Sequence, residues 1–260
     1  MKNYKYLLKE AESPDAYIEE VGIEDEEVIT GDYEKVFVGT HKVRWKLKGK
    51  GTLWVYYLES MVKESWEIEG DFHIFSVVKP ENYTYLKREV RSKGKVRWGT
   101  LVLGESELYS HYSLEGELEE RGIAFLKEET IRWESTLLHA QPHGKSYSHV
   151  RALLNKGSHA QIRGLIDIGP EASDTNSYLE QHVILLDEDS HAFTWPALRI
   201  KNNQVRASHS SSISKVPEDM IFYLQTRGLT PQEGISLLAK GYLESVMPSE
   251  KLWEKVIGKL

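Results

Sequence analysis

Apolar and polar residues alternate strictly along much of the chain. In Lys42–Lys48, KVRWKLK, the apolar Val43, Trp45 and Leu47 alternate with Lys42, Arg44, Lys46 and Lys48. Side chains on a strand point to opposite faces in turn, so this spacing predicts a half-buried strand. Leu53, Val55 and Tyr57 repeat the pattern, as do Val96 and Trp98, where the tetrapeptide KVRW recurs at Lys95–Trp98. Ala160, Ile162, Gly164, Ile166 and Ile168 form a further row of this kind. Glycines punctuate these runs, among them Gly94, Gly104, Gly116, Gly144, Gly157 and Gly169. Strand follows strand with no helical period between, which predicts an all-β sandwich, barrel or solenoid. Alternation does not choose among the three. The spacing is too irregular for a hexapeptide repeat, which disfavours an acyltransferase-type solenoid.

The period changes near each end. Residues 1–30 are acidic, and Tyr4, Leu7 and Leu8 mark a short amphipathic turn that Ser13-Pro14-Asp15 breaks. Residues 31–216 are the strand-rich body. Residues 217–260 read as helical: Pro217, Glu218 and Asp219 suit a first turn, and Gly228 suits the residue just past a helix end. Thr230-Pro231-Gln232-Glu233 has the form of a capping box, and Ile235, Leu238, Tyr242 and Val246 continue one helical stripe. Pro248-Ser249 opens a last helix through Trp253 to Gly258.

Composition narrows the function classes. With 260 residues, 40% hydrophobic and 28% charged, the chain can bury a sizeable core. It has no cysteine, which excludes disulfide scaffolds, thiol nucleophiles and thiolate-built metal or cluster sites from this chain. The net charge of −7 argues against a dedicated nucleic-acid binder. The longest apolar run, Leu53–Leu58, is far too short to span a membrane, and no signal peptide is evident; the expectation is a soluble, cytoplasmic protein. Nine acidic residues and no basic one lie between Glu10 and Glu27, and Lys87–Arg97 is strongly basic. Both stretches read as solvated, the first as an acidic arm and the second as strand faces.

Few residues could carry chemistry. His139 and His143, in HAQPH, have no third ligand at a recognisable spacing and read as a surface loop. His149, His159, His182 and His191 fall in or beside strands and read as hydrogen-bonded structural histidines. Asp187-Glu188-Asp189 is an acidic turn without the spaced ligands of a calcium site. There is no P-loop, dinucleotide fingerprint, nucleophile elbow or zincin motif. Within Val205–Ser212, the period-two face that holds Val205 and Ala207 also holds His209. That places His209 toward the interior, as a structural hydrogen-bonder or a soft metal ligand.

The segments HVILLDEDSHAFTWPALRIKNNQVRASHSSS, PEDMIFYLQTRGLTPQEG and ISLLAKGYLESV, with RGLIDIGPEASDTNSYLEQHVILL before them, resemble the SufB/SufD family of iron–sulfur cluster assembly scaffolds. Glu218, Phe222, Tyr223, Leu224, Arg227, Gly228 and Leu229 carry the most specific signature. The resemblance implies a right-handed parallel β-helix with a C-terminal helical region. It also implies a non-enzymatic scaffold that works with a SufC-like ABC ATPase, and a dimer with itself or a related subunit. Phe222, Tyr223, Arg227, Leu238 and Tyr242 would lie near the ATPase, and His209 matches the histidine of the family's Ser-His pattern, a cluster or iron ligand candidate. The implied cargo is a transient Fe–S cluster or iron. This chain has no phosphate-cradling loop of its own for a nucleotide.

The departures are as informative. Ala207 stands where SufD-like members have cysteine, and Ser210 where SufB-like members have glutamate. The alternative reading is a cysteine-free β-helical interaction protein that keeps ATPase docking and has lost cluster chemistry. A carbohydrate-processing β-helix enzyme is disfavoured, because no paired carboxylates stand out.

Overall fold

The computed structural model describes residues 18–19, 23–216, 218–231, 233–234, 237 and 241. Ten strands follow one another: β1 (Ile23–Ile29), β2 (Tyr33–Val78), β3 (Thr84–Val102), β4 (Ser106–Lys127), β5 (Thr130–His139), β6 (Lys145–Asn155), β7 (His159–Ile168), β8 (Thr175–Leu185), β9 (His191–Ile200) and β10 (Val205–Lys215). Helix α1 (Glu218–Thr226) comes after them. Every pairing between these strands is parallel. The chain is therefore a parallel β-helix of about six coils, which selects the solenoid and removes sandwich and barrel.

Each long strand turns a corner. The first half of β4 pairs with β5 and its second half with β6. From there β5, β7 and β9 stack as one face, and β6, β8 and β10 as the other. The corner is built on glycine: Gly70 pairs with Gly94, and Gly94 with Gly116. Gly94 has φ +119°, and a Cβ there would sit 2.3 Å from the Gly70 carbonyl oxygen. Only glycine accepts both the left-handed backbone and so close an approach. The coil also lengthens along the chain. One turn takes 22 residues from Tyr85 to Glu107, and 32 from His159 to His191.

The alternating rows face inward as expected. Val43, Trp45, Leu47, Leu53, Val55, Tyr57, Val96, Trp98, Ala160, Ile162, Ile166 and Ile168 are all buried. Their rings stack between coils: Trp45 lies 4.5 Å from Trp66, which meets Trp98 edge-on at 4.9 Å, and Trp98 meets Tyr112 at 5.8 Å. Large aromatic rings fill the wide interior and dominate its hydrophobic gain.

A polar thread runs through this core. Glu64 accepts from Trp45 Nε1, Tyr57 Oη, Trp66 Nε1 and Arg88 Nε. Arg88 donates on to Ser76 Oγ at 2.9 Å and lies over the rings of Tyr57 and Trp98. Glu120 accepts from Tyr112, Ser135 and Ser148 hydroxyls. Burial pushes both carboxyls above the usual range, against the pull of these donors.

Three sequence expectations need correction here. The acidic stretch is not simply a solvated arm: Ile23–Ile29 is strand β1, Glu26 meets Lys46 at 3.1 Å, and Glu19 meets Lys42 and Lys63. Its charges lie on the basic outer row of β2, and opposite charges on facing rows hold them there. Within the basic stretch, Arg88 is buried rather than solvated. His139 is not in a surface loop. It ends β5 fully buried, its Nε2 2.8 Å from Ser146 Oγ.

At the C-terminal end α1 stops at Thr226, and Gly228 adopts φ +89° just beyond. The capping box forms as expected: Glu233 N–H donates to Thr230 Oγ1, and Thr230 N–H donates to Glu233 Oε2 at 2.8 Å. The helical turn at Tyr4–Leu8, Pro217, Leu238, Tyr242 and the last helix from Pro248 lie outside the described residues.

Candidate functional site

The terminal coil, β9 and β10, carries the predicted ligand. His209 pairs in register with the buried Leu179 of β8, as Ala207 pairs with Ser177 and Val205 with Thr175. The inward row is thus as alternation placed it. Burial is not: Val205 and Ala207 are partly covered, and His209 is exposed. Among the described residues no further coil stacks over β10, so the inward row opens to solvent at this end.

A second group lies on the opposite, outward face. Register places Arg121 of β4 beside His149 of β6, and His149 beside Glu180 of β8. Two residues along, Arg151 pairs with His182, and His182 with Ser212 of β10. Residues two apart on a strand share a face, so His149, Glu180 and His182 converge. One ligand-type atom from each lies within 4.8 Å of the other two. His182 Nε2 is 2.5 Å from Glu180 Oε1, and His149 Nε2 is 3.5 Å from Glu180 Oε2. His149 is buried, and Glu180 and His182 are about a quarter exposed at 20% and 27%.

The remaining ring nitrogens are held by oxygen. His149 Nδ1 meets Tyr147 Oη at 3.2 Å, and the same hydroxyl donates to Glu180 Oε2 at 3.1 Å. His182 Nδ1 meets Ser212 Oγ at 2.5 Å. Arg151 Nε donates to His149 Nε2 at 2.7 Å, which makes that nitrogen the acceptor and puts the ring proton on Nδ1. Burial, then the Arg151 charge, lowers the His149 pKa from 6.5 to about 4. Burial raises the Glu180 pKa, but the hydrogen bond from His182, with smaller help from the other neighbours including Tyr147, outweighs it and leaves the carboxyl below its usual range. At neutral pH the group is one carboxylate with an uncharged His149, open to solvent on one side. A cleft of about 460 Å³ adjoins it, lined by Arg121, Lys145, Tyr147, Asn176 and Tyr178.

Other predicted residues stand apart. His143 is exposed, 3.6 Å from Asp174, and shares no centre with buried His139. His159 and His191 are exposed, their rings 5.4 Å apart on neighbouring coils. Asp187 closes its own turn, accepting from the amides of Gly157, Asp189 and Ser190. On α1, Phe222 and Tyr223 are 66% and 55% exposed, and Arg227 lies over the Tyr223 ring. No helix among the described residues is long and apolar enough to cross a membrane.

Sequence reasoning treated His149 and His182 singly and did not see Glu180 with them. The signal existed: Ser146-Tyr147-Ser148-His149 and Ser177-Tyr178-Leu179-Glu180 repeat Ser-Tyr at an offset of 31 residues, the local coil length between Lys145 and Asn176 plus nothing else.

Comparison with known proteins places most of the chain in a family. Residues 80–242 match the model for the SUF system FeS cluster assembly SufBD core domain. An iron–sulfur cluster assembly SufBD family protein of Mycobacterium bovis is 29% identical over 110 residues, 42% of this chain and 13% of its own length. One from Porphyra purpurea is 34% identical over 84 residues, 32% of this chain and 17% of its own. One from Staphylococcus aureus USA300 is 28% identical over 108 residues, 42% of this chain and 23% of its own. The aligned part thus spans less than a quarter of each of these relatives.

Proposed function

The chain belongs to the SufBD family of iron–sulfur cluster assembly proteins, and from that premise we propose that it is a scaffold subunit working beside a SufC-type ABC ATPase. The observation that carries the reading is α1. It follows the terminal coil directly within the matched domain and leaves Met220, Phe222 and Tyr223 exposed. Exposed apolar side chains on a helix next to the β body suit a partner that pulls on the body through ATP hydrolysis.

The cargo is a nascent cluster or iron, and His209 is its ligand candidate at the open end of the inward row. A chain without cysteine offers no thiolate donor, so sulfide and thiolate come from elsewhere. A second subunit, identical or related, is the natural occupant of the terminal coil. There β9 and β10 expose Phe193, Trp195, Leu198, Ile200 and Ile213 beside strand edges with no described neighbour. The complex is expected in the cytoplasm. The second reading, an interaction protein that docks the ATPase without cluster chemistry, is favoured by the missing thiolates alone.

Anaerobic co-purification with the cognate ATPase tests the first claim. A stable complex by size exclusion, lost on Phe222→Ser with Tyr223→Ser, is the expected result; no complex from folded protein sinks the assembly role. Iron and sulfide content then separates the two readings. A drop in His209→Ala with ATPase binding intact supports the ligand, and unchanged iron supports the interaction protein.

A further inference from the structure

We propose that His149, Glu180 and His182 bind one first-row divalent transition-metal ion on the outer face of the β6–β8–β10 sheet, a site separate from His209. The donor set is two imidazoles and a carboxylate, gathered from two adjacent coils with ligand atoms within 4.8 Å of one another. Metal–nitrogen and metal–oxygen bonds of about 2.0–2.2 Å need such atoms roughly 3–3.5 Å apart. His149 Nε2 and Glu180 Oε2 already stand at 3.5 Å; His182 has to withdraw from Glu180 Oε1, and separations of up to 4.8 Å among the three ligand atoms have to close to that range.

The surroundings are those of ligating histidines. Each ring presents Nε2 to the centre and has an oxygen at Nδ1, Tyr147 Oη for His149 and Ser212 Oγ for His182. Partners of this kind fix tautomer and ring orientation in metal sites. Tyr147 also bonds Glu180, so one hydroxyl orients two of the three ligands. The His149 Nε2 lone pair faces the centre and is engaged by a cationic group, Arg151 Nε at 2.7 Å. An incoming ion has to take the place of that guanidinium at Nε2.

The donors also select. Two nitrogens and one carboxylate suit ferrous iron, cobalt or zinc, whereas calcium and magnesium are hard cations that take oxygen ligands. All three ligands come from one sheet face, and with Glu180 and His182 partly exposed the remaining coordination positions face solvent. That is the open geometry of an exchangeable or reactive site rather than a closed structural one.

Anaerobic titration of the full chain with cobalt(II), followed by its visible ligand-field bands, and with iron(II) by calorimetry, tests the assignment. One equivalent should bind, with no response to magnesium or calcium. His182→Ala and Glu180→Gln should each weaken binding at least about 100-fold, Ser212→Ala about 10-fold, and Arg151→Ala should tighten it. His149→Ala is the less secure variant because His149 is buried; the exposed-side variants carry the test if it misfolds. Saturable binding unchanged in His182→Ala, or no binding by folded wild type, overturns the proposal. His209→Ala should keep its equivalent of cobalt whatever it does to cluster content, so this site and the scaffold reading fail independently.

Discussion

Replacing Arg88 with methionine probes whether the polar thread inside the β-helix holds the coils together. Arg88 and Glu64 are each 1% exposed, and Arg88 Nε meets Glu64 Oε2 at 3.2 Å. Methionine keeps much of the side-chain volume but leaves the Glu64 carboxylate with three neutral donors, from Trp45, Tyr57 and Trp66. Breaking one side of a buried pair costs about 3–5 kcal/mol, a large part of the roughly 5–15 kcal/mol that folds a domain. The cost must depend on pH. Burial already raises the Glu64 pKa above 4.5, and Arg88 is the strongest influence pulling it down. Without Arg88 the folded-state pKa rises further, so the folded state binds the extra proton above 4.5. Stability of the variant therefore grows as pH falls through that raised value, and the deficit narrows from pH 8 toward pH 5. Urea unfolding of wild type and Arg88→Met at several pH values measures it. The double variant with Glu64→Gln should recover part of the loss, since the amide oxygen still accepts without a charge. A loss below about 1 kcal/mol at pH 8, or one equally large at pH 5, would refute the argument.

Three other outcomes follow from the same structure. Gly94→Ala forces a left-handed φ of +119° on a residue with a Cβ and drives that Cβ into the Gly70 carbonyl oxygen; it should cost about 2–4 kcal/mol in urea unfolding, and a loss within error of zero would mean the corner relaxes freely. His139 is buried with its pKa lowered from 6.5 to about 4, so its share of stability is full above pH 6.5 and is lost as pH falls from there toward 4, by at most about 3 kcal/mol. His139→Gln should flatten the fall in unfolding midpoint between pH 7 and 5, with His149 left to contribute in the same window; an unchanged slope speaks against it. If a second subunit covers the terminal coil, diethyl pyrocarbonate should modify His209 in the monomer and much less in the dimer, while exposed His143, two coils away, reacts equally in both; equal reaction at His209 would place the dimer interface elsewhere.

What could be read from the chain and what could not divides along one physical line. A β-helix buries the same side of every strand, so period-two rows such as Ala160–Ile168 translate directly into interior positions. Coil length is different. It is set by where the backbone can turn, at Gly70, Gly94 and Gly116 in the early coils and at the 140–144 loop later, and no local period reports it. The partners of a given residue lie one coil away, so every inter-coil contact depends on that length. Glu64 with Arg88 could not be paired for this reason, although each residue was plain in the sequence, and His149 with Glu180 could be paired only through the Ser-Tyr repeat that reports the local coil length.

His209 shows the same limit from the other side. Alternation placed it on the inward row, and register with Leu179 agrees. Whether an inward residue is buried depends on a coil above it, and none of the described residues supplies one. One strand, β10, thus serves two faces: inward it carries His209, and outward Ser212 steadies His182. A subunit pairing against the end of the helix would enclose the first and leave the second open to solvent. The two donor groups, His209 on β10 and the cluster on β6 and β8, would then differ in access, with His209 answering to assembly and the His149–Glu180–His182 cluster to the free metal in solution.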